Sequence, residues 1–109
     1  MPTSHAGRTL VPDQIASANI PFIVTKENMP VVLIQTGTWG ASEIGNIQRS
    51  YDQGVSFQTI RRGGALVQLK GSADRIIVID FPGYYRVNKQ LTTAEAGVVL
   101  VDALTPGSP

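Results

Sequence analysis

"IGNIQRSYDQGVSFQTI", residues 44–60, reads as strand, turn, strand. Ile44 to Tyr51 forms the outgoing strand, Asp52-Gln53-Gly54 a short turn, and Val55 to Ile60 the returning partner. Asp52 can accept hydrogen bonds from backbone amides across the turn. Gly54 can take the positive φ that a tight reversal needs. Ser50 opens the turn, and Phe57 is expected to alternate inward and cover the hairpin base.

The same punctuation continues on both sides. Toward the C-terminus, Arg61-Arg62-Gly63-Gly64 reads as a turn and Ala65 to Lys70 as a strand, closed by a turn at Gly71 to Asp74. Arg75 to Phe81 is the strongest strand signal, Pro82-Gly83 a further turn, and Tyr84 to Lys89 the return. Leu91 to Gly97 reads as a loop or short helical turn, and Val98 to Ala103 as the last strand. Toward the N-terminus, Val31 to Gln35 is a continuous apolar run, as expected of a strand covered on both faces. Ile20 to Lys26 is a strand whose Pro21 cannot donate to a ladder and so belongs at a strand start or sheet edge. About eight short strands at roughly ten-residue spacing, with no helical period, predict an antiparallel β-sandwich, jelly-roll or immunoglobulin-like. The expected organisation is an extended arm over residues 1–19, a sandwich over 20–104 and a tail over 105–109.

Composition narrows the classes of function. The chain has 109 residues, room for one modest core. Only 16% of residues are charged, against about 25% in soluble domains, which suits a protein whose faces are partly covered by neighbours. Net charge is +1 and the nine basic residues are spread out, with only Arg61 and Arg62 adjacent. Nucleic-acid binding needs a basic stripe that displaces counterions from several phosphates, so no nucleic-acid partner is expected. There is no cysteine, which excludes disulfides, thiolate metal sites and thiol nucleophiles. No apolar stretch has the length of a membrane helix, and the first twenty residues lack the apolar core of a signal peptide. A soluble chain made in the cytoplasm, with no membrane partner, is expected.

Two resemblances rest on these residues. Ser50, Asp52, Gly54 and Phe57 fit the pattern Ser-x-Asp-x-Gly-x-x-aromatic, which resembles the Asp box of sialidases and related sugar-handling proteins. In sialidases the box recurs once per blade, away from the catalytic centre. Here it occurs once, so the resemblance implies a shaped hairpin and not glycosidase chemistry. More widely, "TGTWG" at 36–40, "SYDQGVSF" at 50–57 and "IIVIDFPGYYRV" at 76–87, followed by a last hydrophobic strand, look like the small β-sandwich structural proteins of tailed bacteriophages. The likeness covers about residues 30–103 and implies a head decoration, cement or fibre role.

The search for catalytic residues yields little. His5 is the only histidine and lies in the expected arm, so no triad or histidine metal site is expected. Asp52 and Asp74 are explained by turns, Asp80 and Asp102 sit near strand ends, and no acidic run suggests calcium. No enzyme activity and no cofactor are expected. Candidate partner-binding residues are Arg8, Thr9, Leu10 and Val11 in the arm, which could add a strand to a neighbour's sheet edge. To these are added Trp39, Arg61, Arg62, Tyr84 and Arg86. Trp39 reads as core in preference to a sugar platform. Of the adjacent Tyr84 and Tyr85, one should fill the core and the other face outward with Arg86 on its side. The expected function is a bacteriophage virion protein that decorates or cements the head by binding the major capsid protein and sister subunits, with a homotrimer implied by related decoration proteins. A neck or tail subunit of the same virion and a carbohydrate-binding module, with surface glycans as partners, are the alternatives.

Overall fold

The computed structural model describes residues 8–71 and 76–103. Among them lie β1 (Arg8–Gln14), β2 (Ala18–Val24), β3 (Val31–Gly37), β4 (Ile44–Ser50), β5 (Gln58–Thr59), β6 (Arg61–Arg62), β7 (Ala65–Leu66), β8 (Gln68–Lys70), β9 (Ile76–Ile79), β10 (Gly83–Lys89) and β11 (Ala96–Val101). The first sheet has the order β1-β11-β3-β9. The second has the order β2-β10-β4, with β5 and β8 both paired to the far side of β4. Every pairing is antiparallel.

The pairs are nested about the loop at residues 51–57. Gln48 faces Thr59, Val31 faces Ile79, Val24 faces Gly83 and Arg8 faces Leu100. Each partner lies about as far beyond that loop as the other lies before it. The chain is therefore one long ribbon doubled at its midpoint and rolled, so that β1, β2, β3 and β4 fall in alternate sheets. This is the jelly-roll form of the β-sandwich. β5 and β8 are two parts of one strand, interrupted by the β6–β7 hairpin. Ile60 N donates to Ile47 O at 3.0 Å, Ile47 N to Val67 O at 3.1 Å and Val67 N to Ile60 O at 2.9 Å, closing the neck of that hairpin. Its tip is Gly63-Gly64, at φ 58° and 85°, the double positive φ of a primed hairpin turn.

Period-two alternation builds the core. Val11, Val31, Leu33, Ile77, Ile79, Val98 and Leu100 face inward from the first sheet, and Phe22, Val24, Ile47, Leu69, Tyr85 and Val87 from the second. The Phe22 and Tyr85 rings stack at 5.6 Å. Each large side chain buried this way contributes about 1.5–3 kcal/mol. Lys89 takes the last inward position of β10. Its buried Nζ donates to Ala16 O at 2.8 Å, Gln90 O at 3.2 Å and Thr92 Oγ1 at 3.2 Å. It thereby ties the β1–β2 connection to the β10–β11 connection, and burial lowers its pKa.

Three expectations need correction. Residues 8–14 are not an arm: they are edge strand β1, paired along β11, and the boundary at residue 19 cuts through β2. The register shift between Thr9 and Val11 is a bulge that turns both Leu10 and Val11 inward. Sequence-neighbouring strands pair only as β4–β5 and β6–β7, because rolling a doubled ribbon puts most successive strands in opposite sheets. Residues 80–82 are thus a crossing from β9 to β10, fastened by Tyr85 OH donating to Phe81 O at 2.8 Å. The return strand at 55–60 is only Gln58–Thr59. Residues 1–7 of the expected arm, with His5, as well as residues 72–74 of the expected turn, with Asp74, and the tail at 105–109, lie outside the described residues.

Leu33→Ala, in the inward row, is expected to cost about 2–5 kcal/mol. Ile76→Thr, on the outward face, should change stability by less than about 0.5 kcal/mol. Urea unfolding of both variants measures this, and equal costs would contradict the assignment of faces.

Candidate functional site

The turn at residues 50–56 is closed by its own polar side chains. Ser50 Oγ donates to Asp52 Oδ1 at 2.6 Å and accepts from the Gly54 amide at 2.7 Å. The Ser56 amide and hydroxyl donate to the two oxygens of Asp52 at 2.8 and 2.5 Å. Gln53 and Gly54 take φ of 61° and 93°. The Ser50 hydroxyl first, then the Ser56 hydroxyl and amide, hold the Asp52 carboxyl down to about 2. All the donors to this carboxylate come from its own loop, as turn chemistry requires. Phe57 does not point inward. Its ring lies under the Arg86 guanidinium at 4.4 Å, on the outer side of the second sheet. The loop at 51–57 does not continue strand alternation, so the inward parity of β4 is not carried through it.

The outer faces of the two sheets differ in kind. On the first sheet, Thr9, Val99, Ile34 and Ile76 stand side by side across four strands, and Val101, Val32 and Val78 form the next row. Neither row carries a charge. Ile76 is 58% exposed and Val78 44%, while Val32, Ile34, Val99 and Val101 are half-buried. On the second sheet two rows are polar, and Ile23 and Tyr84, 52% and 42% exposed, stand side by side in the row beyond them. Gln68 donates to Asn46 at 2.7 Å, Asn46 to Asn88 at 3.3 Å and Asn88 to Asn19 at 2.5 Å, an amide ladder across four strands. The next row runs from Thr59 through Gln48 to Arg86, whose Nε donates to Gln48 Oε1 at 2.6 Å.

The candidate residues fall in separate places. Trp39 is core: its indole N–H is shared between Thr36 O at 3.1 Å and Gly97 O at 3.3 Å. Leu10 and Val11 are buried in their own sandwich and cannot anchor a neighbour, whereas Arg8 and Thr9 are exposed beside them. Tyr85 fills the core, and Tyr84 faces outward at 42% exposure with Arg86 on its side, as expected from alternation. Arg61 and Arg62 are exposed on the β6–β7 hairpin, where Arg62 donates to Val78 O at 2.7 Å and so caps a carbonyl of edge strand β9. Sequence reasoning read an apolar outer side only for Val31 to Gln35 and missed that it continues across β9 and β11. The signal was present in the unbroken runs at 31–34, 76–79 and 98–101, where no polar residue alternates. No group of three or more metal-ligating side chains gathers among the described residues. Compared with protein-family models, curated proteins and solved structures, the chain matches none.

The depressed pKa of Asp52 gives a pH dependence of known sign. The stabilisation is present above the ordinary value of 3.8 and is lost as pH falls through about 2. Thermal unfolding between these limits should therefore weaken with acid more steeply in the native chain than in Asp52→Asn. Parallel curves for the two would show that the carboxylate does not hold the loop.

Proposed function

We propose that this chain is a non-enzymatic structural subunit of a tailed-bacteriophage particle, a decoration or cement protein that binds coat protein. One observation carries the reading: the contrast between the outer faces of the two sheets. An uncharged aliphatic face of two rows, Val99-Ile34-Ile76 and Val101-Val32-Val78, is the composition of a surface that is covered. An amide ladder satisfied by its own neighbours is the composition of a surface left in water. A sandwich with one face of each kind suits a molecule laid on a shell, with its first sheet against the shell and its second outward. The resemblance of the TGTWG, SYDQGVSF and PGYYRV segments to phage sandwich proteins supplies the kind of shell. The carbohydrate-module alternative loses its best platform, because Trp39 is buried.

Density-gradient sedimentation of particles, with this chain followed by mass spectrometry, tests the reading. The expected result is co-migration in a high, fixed ratio to coat protein. A few copies per particle would assign it to the neck or tail, and recovery only as free protein would overturn the virion reading. Val78→Arg, which puts a charge into the aliphatic face, should weaken particle attachment at least about tenfold without unfolding the chain.

A further inference from the structure

At one end of the sandwich, a cleft of about 500 Å³ opens between the end of β4, the β6–β7 hairpin and the crossing at residues 80–82. That volume lies within the range of about 300–1,000 Å³ typical of small-molecule sites. Its basic groups are Arg49, Arg61 and Arg62, and its one acid is Asp80. Arg49 sits on β4 directly opposite Tyr85, so it points between the sheets where the core ends. Its guanidinium lies over the rings of Phe81 at 4.7 Å, Tyr51 at 4.8 Å and Tyr85 at 5.7 Å. Three aromatic rings thus pack around one guanidinium. Arg49 donates one hydrogen bond to Pro82 O at 3.1 Å, and Arg61 donates one to Gly64 O at 2.9 Å. Arg62 donates one to Val78 O; a guanidinium has five N–H donors, and since the Nε of Arg49 is buried without a partner, the donors this residue can offer a ligand are those of its terminal nitrogens. Tyr51 and Phe81, the walls, are 74% and 59% exposed. The charges of Arg49, Arg62 and Asp80 all reach the Tyr85 hydroxyl, which burial pushes above its ordinary pKa. Arg49, Arg62, Asp80 and Tyr85 all line the cleft.

We propose that this cleft binds a carboxylate-bearing sugar residue, an acid unit of an anionic glycan. A planar guanidinium fork matches a carboxylate in two parallel hydrogen bonds. The exposed ring faces of Tyr51 and Phe81 suit the apolar C–H face of a pyranose. Asp80 and Gln58, the latter opposite Arg49 on β5, provide hydrogen-bonding groups for ring hydroxyls. The spread of basic residues over the chain offers no track for a nucleic-acid backbone. The inference does not depend on coat-protein binding, and either can fail without the other.

The test is NMR titration of the full chain with four probes: N-acetylneuraminic acid, a glucuronic-acid oligosaccharide, a glucose oligosaccharide of the same length, and adenosine monophosphate. Saturable binding of at least one acid sugar is expected, with shifts at Tyr51, Arg61 and Phe81, at least about tenfold tighter than the neutral oligosaccharide. Which acid sugar binds separates a sialylated glycan from a uronic-acid polymer. Tyr51→Ala and Arg61→Glu, both at exposed positions outside the core, should each weaken binding about tenfold or more while leaving the spectrum of the fold intact. The proposal is overturned if neither acid sugar saturates. It is equally overturned if glucose or adenosine monophosphate binds as tightly, or if both variants bind like the native chain.

Discussion

The fold turns on one loop. Nearly every strand pairs with a segment equally distant on the other side of residues 51–57, so the geometry of that reversal sets the register of the whole ribbon. Slipping a strand by one residue moves its side chains to the opposite face. A loop that let β4 and β5 slide would therefore expose Ile47 and bury Gln48. Ser50 and Asp52 fix the loop by polar contacts that need no neighbour and no core. At the opposite end, Lys89 fastens the two outermost connections to each other, so the ribbon is held at its fold and near its ends.

With the register fixed, the composition of the outer faces follows from the sequence of each strand. β3, β9 and β11 are aliphatic at successive positions, so whichever parity is buried leaves an aliphatic row outside. β4 and β10 instead place Asn46, Gln48, Arg86 and Asn88 on their outer parity, with Ile44 and Tyr84 at its ends. The asymmetry behind the proposed shell-binding role is thus encoded in which strands the roll assigns to each sheet. The cleft at the end of the sandwich arises differently. It gathers residue 49, residues 61–62 and residues 80–81, which the ribbon brings together only where β4 runs out of core to cover.

Much of the strand content was legible in the sequence, and the reasons for the rest are specific. β3 was readable from its apolar run and β4 and β10 from the turns that bound them, and of the two places open to Pro21, a strand start or a sheet edge, the structure has it on edge strand β2. β1 was hidden because its bulge places Leu10 and Val11 adjacent on the same face, which erases the alternating pattern. The sheet assignment was hidden because strand signals carry no information about which long-range partner wins. Lys89 was read as the end of a strand; only the third dimension brings the Ala16 carbonyl and Thr92 hydroxyl that make its burial tolerable. Arg49 went unremarked for the same reason, since Tyr51, Phe81 and Tyr85 surround it only after the crossing at 80–82 is formed.

The central claim is that the aliphatic face of the first sheet is the covered one. Hydroxyl-radical footprinting of the chain, free and on particles, measures this side chain by side chain. The account predicts that Ile76 and Val78 react in the free chain and are protected on particles, while Tyr84 on the second sheet reacts equally in both. Protection of Tyr84 with Ile76 and Val78 unchanged would contradict it.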